Sequence, residues 1–230
     1  MRRAVSVVGV MGMLLGVSSP MAQAVEWQMF DPSPYSQSVT DCDREAAHPD
    51  DPNKVVPGRT SREMNLDTAI RVCRADLAKD PNNPRIGYQL ARSLTYAGKV
   101  TEALPFIERA AAQKYPQALF VVGYLYLEGS YASPKDPCRA AQLIRESAIY
   151  GRLAGLLGYP SYVLNGRFNG CGLKVDMQEL REFVGKAKQS KLEYYPSVIA
   201  ESLEVRLSNE GGSKCTTSAY RGVTCCRRRL

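Results

Sequence analysis

The sequence predicts an all-α chain, an α-solenoid of antiparallel helix pairs stacked side by side. Three observations carry that expectation. Between about 66 and 208, apolar residues recur at the three-to-four spacing of a helix face. The apolar–polar alternation of a half-buried strand is missing from the same stretch at any useful length. A pattern of large and small residues also returns three times, at the distance of a helical hairpin.

Taken in order, the first segment is MRRAVSVVGVMGMLLGVSSPMAQA, residues 1–24. Arg2 and Arg3 are followed by an uncharged apolar run and then by Ala22-Gln23-Ala24, the small-x-small pattern of a signal-peptidase site. The run is shorter than the roughly 20 residues of a membrane helix. The expectation is a cleaved secretory signal, a mature chain starting near Val25, no membrane span after cleavage, and a periplasmic or secreted location. All seven cysteines (Cys42, Cys73, Cys138, Cys171, Cys215, Cys225 and Cys226) follow the expected cut. In an oxidising compartment their default state is the disulfide.

Residues 25–65 form a leader whose densest stretch is CDREAAHPDD, 42–51, with the chain's single histidine, His48. Thr40-Asp41-Cys42-Asp43 fits a capping box, so a short helix over 41–47 is expected, ending before Pro49. Asp43 then favours the positive helix start, while Asp50-Asp51-Pro52-Asn53 reads as a turn. Zinc would require spaced Cys or His pairs, and calcium a D-x-[DN]-x-[DN]-G loop; neither occurs, and no metal is expected. Cys42 is expected to pair with Cys73, on the inner face of the first long helix, a staple worth on the order of 3–4 kcal/mol.

The helical region, 66–208, begins behind Asn65 as N-cap with Leu66, Ala69, Ile70, Cys73 and Leu77 on one face. Asp80-Pro81-Asn82-Asn83-Pro84 ends that helix and starts the next, which carries Ile86, Leu90, Ala91 and Leu94 as far as Gly98. Ala103, Leu104, Ile107, Ala110 and Ala111 continue the period to Tyr115-Pro116. The recurrence then emerges. Leu90-Ala91 with Gly98 is echoed by Val122-Gly123 with Gly129, and by Leu157-Gly158 with Gly166. Small residues allow two helices to approach closely, and pairs that cannot bury their apolar faces alone stack on one another.

On these residues, 84–117 resembles a tetratricopeptide repeat, and 117–150 and 151–189 resemble Sel1-like repeats, in which the loop between the two helices is longer. The second unit has that loop at 129–135, then Asp136 as N-cap and Pro137 at the first helical position. The third has it at 166–175, with Asp176 as N-cap. Gly87 stands where the pattern has a bulky residue, and Pro160 interrupts the third unit's first helix. The segment from Cys42 to Arg85 is similar to a leader found in exported bacterial proteins with these repeats. The resemblance implies a right-handed stack whose concave face holds an extended peptide. Its register implies Arg85, Tyr88, Gln89, Arg92, Tyr96, Phe120, Tyr124, Arg152 and Tyr159 as groove residues. Cys138 starts the second helix of one repeat and Cys171 lies in the loop of the next, so a bridge between repeats is expected.

Residues 209–230 form a Cys- and Arg-rich tail. Cys215 is expected to pair with Cys225 or Cys226, leaving one thiol over. Arg227, Arg228 and Arg229 supply part of the formal net charge of +7; a terminal run of this kind reads as a solvated tail, and no nucleic-acid partner is expected. No G-x-S-x-G or S-x-x-K signature and no phosphate-cradling glycine loop occurs. The functional expectation is an exported, non-catalytic scaffold without a cofactor that binds a protein or peptide of the cell envelope. The alternative is an envelope enzyme acting on cell-wall material, with the repeats binding its substrate. A further one is a structural or secreted effector role, in which the Arg-rich tail makes the contact.

Overall fold

The computed structural model describes residues 24–129 and 134–210. Among these the regular structure is helical throughout: α1 (Asp41–Ala46), α2 (Leu66–Lys79), α3 (Pro84–Tyr96), α4 (Val100–Ala112), α5 (Pro116–Glu128), α6 (Pro137–Ile149), α7 (Leu153–Leu164), α8 (Met177–Lys188) and α9 (Tyr194–Glu210). The pairs α3/α4, α5/α6 and α7/α8 are helical hairpins. They stack through α4 on α5 and α6 on α7, with α2 against α3 at one end and α9 against α7 and α8 at the other.

Local chemistry sets the boundaries. The side chains of Asn65, Asn83, Asp136 and Asp176 accept backbone N–H bonds at the starts of α2, α3, α6 and α8. Pro84, Pro116 and Pro137 occupy first helical positions, where a missing N–H costs nothing. The turn between α6 and α7 uses Gly151 at φ 77°, whereas the turn between α4 and α5 places Lys114 at φ 63°, a left-handed conformation that disfavours a side chain. Pro160 does not interrupt α7, contrary to the sequence expectation. It lies buried within a helix running on to Leu164, because losing one N–H is offset where the helix is packed against α6, α8 and α9.

The third unit's register also differs from the one expected. Counted from the first helical residue, Ala91, Gly123 and Pro160 occupy the same position of α3, α5 and α7. The recurring large–small pair in α7 is therefore Tyr159-Pro160, not Leu157-Gly158. At Gly123 the small residue serves close approach: a Cβ there would lie 2.7 Å from Ile144 Cγ1 of α6.

Two apolar clusters fill the stack, one around α1 to α5 and one around α5 to α9, with Tyr126 packed against both. The leader straps the molecule from end to end. The Val25 amide donates to Glu182 Oε2 (2.8 Å) and the Gln28 amide to the Ile149 carbonyl (3.2 Å). Trp27 packs edge-on against Phe183, and Phe30 edge-on against Tyr115. The strap then reaches the opposite end as α1, seated on α2 and α3.

Among the described residues two disulfides fix this arrangement. Cys42–Cys73 joins α1 to α2 across 31 residues, and Cys138–Cys171 joins α6 to the α7–α8 loop across 33. The expected pairing of Cys215 with Cys225 or Cys226 lies outside the described residues.

Candidate functional site: the concave face and its open half

The first helix of each hairpin presents its second, fifth, sixth and ninth residues to the concave side. In α3 these are Arg85, Tyr88, Gln89 and Arg92; in α7 they are Ala154, Leu157, Gly158 and Ser161. The first set is large and polar, the second small or apolar, and the two halves of the face differ accordingly.

Over α3 the face is already occupied. Asp43 of α1 is fully buried with its carboxylate on the α3 side chains: Arg85 Nη2 donates to Oδ2 (3.2 Å), Arg85 Nε lies 3.0 Å from Oδ1, and Gln89 Nε2 donates to Oδ1 (2.9 Å). Arg85 Nη2 also donates to the Ser38 carbonyl (3.2 Å). Arg92 holds the far end of α1, with Nη1 donating to the carbonyls of Ala46 and Ala47 (both 3.0 Å) and Nη2 to that of Arg59 (2.7 Å). The guanidinium also lies 5.2 Å from the Tyr96 ring. All of these hydrogen bonds are made to the chain's own leader. Arg85, Gln89 and Arg92, expected to face a partner, are therefore buried under residues 36–59. Tyr88 is buried too, and its hydroxyl accepts from Gln117 Nε2 (3.3 Å).

The capping box around Thr40 is formed, and Asp43, assigned from sequence only to the helix start, also anchors the leader. The turn after α1 is equally engaged. Asp51 is fully buried and accepts from the Tyr115 hydroxyl (2.6 Å). Burial pushes its carboxyl upward, while burial, the Asp51 charge and the hydrogen bond raise the Tyr115 phenol well above its ordinary range. His48 accepts from the Asp50 amide at Nδ1 (3.0 Å). Burial, with Arg152, Arg92 and Lys54 nearby, pulls its imidazole down to about 3, so it is neutral at physiological pH. Gly58 packs where a Cβ would meet the Pro49 nitrogen at 2.2 Å, which closes the two limbs of the leader on each other.

Over α7 the face is open. A cavity of about 310 Å³ is lined by Phe120 of α5, by Leu157, Gly158, Ser161 and Tyr162 of α7, and by Ile199 of α9. Asp50, at the tip of the leader, and Arg152, at the start of α7, also border it. Tyr124 of α5 and Tyr96 of α3, outside the cavity lining, are 43% and 44% exposed. Arg152 is only 6% exposed, and its Nε and Nη1 have no hydrogen-bond partner among the described residues. Burial lowers its pKa.

Of the expected groove residues, the structure brings Phe120 and Arg152 together at this cavity, with Tyr124 and Tyr96 exposed beside the covered half. It does not bring Tyr159 there: that ring packs on Phe168 and Phe183, towards α8. The cause is the register of α7. Matching the repeats through their large–small pairs assigns Leu157 and Gly158 to helix packing and passes over Ala154 and Ser161. Matching the caps Asn83, Tyr115 and Arg152, which each precede a first helical residue, would have found them.

A larger cleft, of about 1070 Å³, separates residues 24–28 of the strap from α6 and α8. Its buried carboxylate, Glu179, is already gripped by Arg145, which donates from Nε and Nη2. Among the described residues, no group of three or more His, Cys, Asp or Glu side chains could hold a metal ion, and no helix is long and apolar enough to cross a membrane.

No family model matches the chain, and no curated protein matches it. Among solved structures, it is similar to the crystal structure of a Sel1 repeat protein from Oxalobacter formigenes. The two are 22% identical with a TM-score of 0.48, over 63% of this chain and 40% of the other. The chain thus spans well under half of that protein's length.

Proposed function

We propose that this chain is an exported, non-catalytic scaffold that binds a peptide segment of an envelope protein on the open half of its concave face. The observation that carries this reading is the cavity between α5, α7 and α9, an apolar recess bordered by a buried cation and left uncovered by the leader. Apolar recesses with a few placed polar groups are the usual form of a binding site. Tyr96 and Tyr124 are exposed as well, and tyrosine is among the residues that dominate binding energy at interfaces. The disulfides hold the face rigid, so little ordering would be needed on binding.

Two observations support export. Both described disulfides suit an oxidising compartment. The Val25 amide also sits on the Glu182 carboxylate, so cleavage after Ala24 would turn that hydrogen bond into an ammonium–carboxylate pair. N-terminal sequencing of the envelope form should read Val25 first; a retained residue 1–24 segment would contradict it.

The binding reading is tested with Ser161→Arg, which puts on α7 the side chain that α3 carries at the same position. Pull-down from envelope extract should recover a partner with the wild type and lose it with Ser161→Arg at unchanged helicity. Equal recovery by both would count against the cavity.

A further inference from the structure

We propose that the Arg152 cavity holds the last residue of a guest chain, with the free terminal carboxylate on the Arg152 guanidinium and an apolar side chain in the recess formed by Phe120, Leu157, Gly158 and Ile199. The inference rests on the reading of the open concave face as a peptide-binding surface and names the part of the peptide that enters.

Three buried arginines touch the concave face, and they differ in what they hold. Arg85 donates to Asp43 and to leader carbonyls, and Arg92 donates to three leader carbonyls. Each of those two leaves only Nε without an acceptor, whereas Arg152, as deeply buried, leaves both Nε and Nη1 so and donates no side-chain hydrogen bond among the described residues. A buried polar group left without a partner is costly, and a charged one more so. The nearby carboxylates do not meet that need. Asp51 accepts from the Tyr115 hydroxyl and, through Oδ1, from the Asn53 amide. Asp50 is exposed at the cavity mouth, and its carboxylate accepts no hydrogen bond from Arg152. His48 is neutral and its Nδ1 accepts from the Asp50 amide. Among the described residues there is thus a planar guanidinium suited to a two-oxygen anion and no carboxylate that accepts from it.

The neighbouring recess narrows the anion's class. Its wall is apolar apart from the Ser161 and Tyr162 hydroxyl groups, so an internal Asp or Glu would carry two further peptide groups into a place with few partners for them. A chain end does not have that difficulty. It carries the carboxylate and a side chain on one Cα, side by side, as the guanidinium and the recess are side by side here. Gly158 keeps the recess open, since a Cβ there would lie 3.1 Å from Phe120 Cε2.

The test uses N-acetylated hexapeptides ending in leucine, phenylalanine or serine, each as free acid and as C-terminal amide, titrated calorimetrically into the disulfide-bonded protein. Acids ending in leucine or phenylalanine are expected to bind at least tenfold more tightly than their amides and than the serine-ended acid. Arg152→Met should abolish the acid–amide difference without lowering the thermal midpoint. Asp50→Asn, at an exposed position where folding is not at stake, should tighten the acids and leave the amides unchanged. Equal binding of acids and amides, or an acid preference that survives Arg152→Met, overturns the chain-end assignment while the peptide-binding reading stands. Binding of decanoate with the same Arg152 dependence, where no hexapeptide binds, overturns both in favour of a small amphiphile.

Discussion

The same four positions on α3 and α7 have opposite fates. On α3 they are Arg85, Tyr88, Gln89 and Arg92, and they are buried beneath the chain's own leader. On α7 they are Ala154, Leu157, Gly158 and Ser161, and they line a cavity. The helical scaffold is shared, so the difference lies in side-chain chemistry. Long donors on α3 reach carbonyls and Asp43 of a segment that never settles into long helices, whereas α7 offers that segment nothing to hold. One repeat surface thus carries a half whose side chains hold the leader and a half whose smaller side chains leave a cavity uncovered.

The largest effect should come from breaking the covered half. Asp43→Ala leaves Arg85 buried without its anion and removes the capping box, and is expected to cost about 3–5 kcal/mol in urea unfolding. A loss below about 1 kcal/mol would mean that the leader is not held as described. Replacing Cys42 and Cys73 together with serine releases the same segment by another route. The expected loss is about 3–4 kcal/mol, with trypsin then cutting first within the leader; cleavage elsewhere first would argue against a strap.

The pH response sharpens the comparison at the boundary between the halves. His48 is depressed from 6.5 to about 3 in the folded chain by burial, with Arg152, Arg92 and Lys54 adding to it. Below about 6.5 the unfolded chain takes up a proton that the folded one refuses. This contribution is therefore whole above that pH and is lost as the pH falls towards 3. His48→Gln should flatten the wild-type decline between pH 7 and 4 by about 2–3 kcal/mol. Asp51, raised by burial, and Asp76, lowered chiefly by its hydrogen bonds to the Cys42 amide and Lys79 against the desolvation that opposes them, are common to both proteins and cancel in the difference. Parallel pH profiles would show that the imidazole is not held neutral.

The smallest effect concerns the turns. Lys114 holds a left-handed conformation that Gly151 holds in the turn between α6 and α7, and it also pairs with Glu146 (2.7 Å). Lys114→Gly should raise stability by about 0.5 kcal/mol, as relief of backbone strain outweighs a half-exposed ion pair. A loss of more than that amount would mean the pair matters more than the strain.

Much of this was legible in the sequence, for identifiable reasons. Asn65, Asp136 and Asp176 announced helix starts because capping is local chemistry, and Thr40 announced α1 in the same way. Cys42 with Cys73 followed from placing one residue on a helix face beside the leader. The occupied groove was not legible. Arg85 and Arg92 looked like residues awaiting a partner, and nothing local reveals that the partner is Asp43 or a carbonyl some forty positions earlier. The α7 register was obscured by Pro160, whose usual effect on a helix concealed that it stands where Ala91 and Gly123 do.

The central claim is that the leader holds the α3 half while a guest enters only at α7. Amide hydrogen exchange, with and without a bound peptide from the pull-down or the hexapeptide series, tests it directly. New protection is predicted in 153–162 and 196–200, with 84–92 and 36–59 unchanged. Protection gained in 84–92 together with faster exchange in 36–59 would show the leader displaced by its guest, and the division of the face would be wrong.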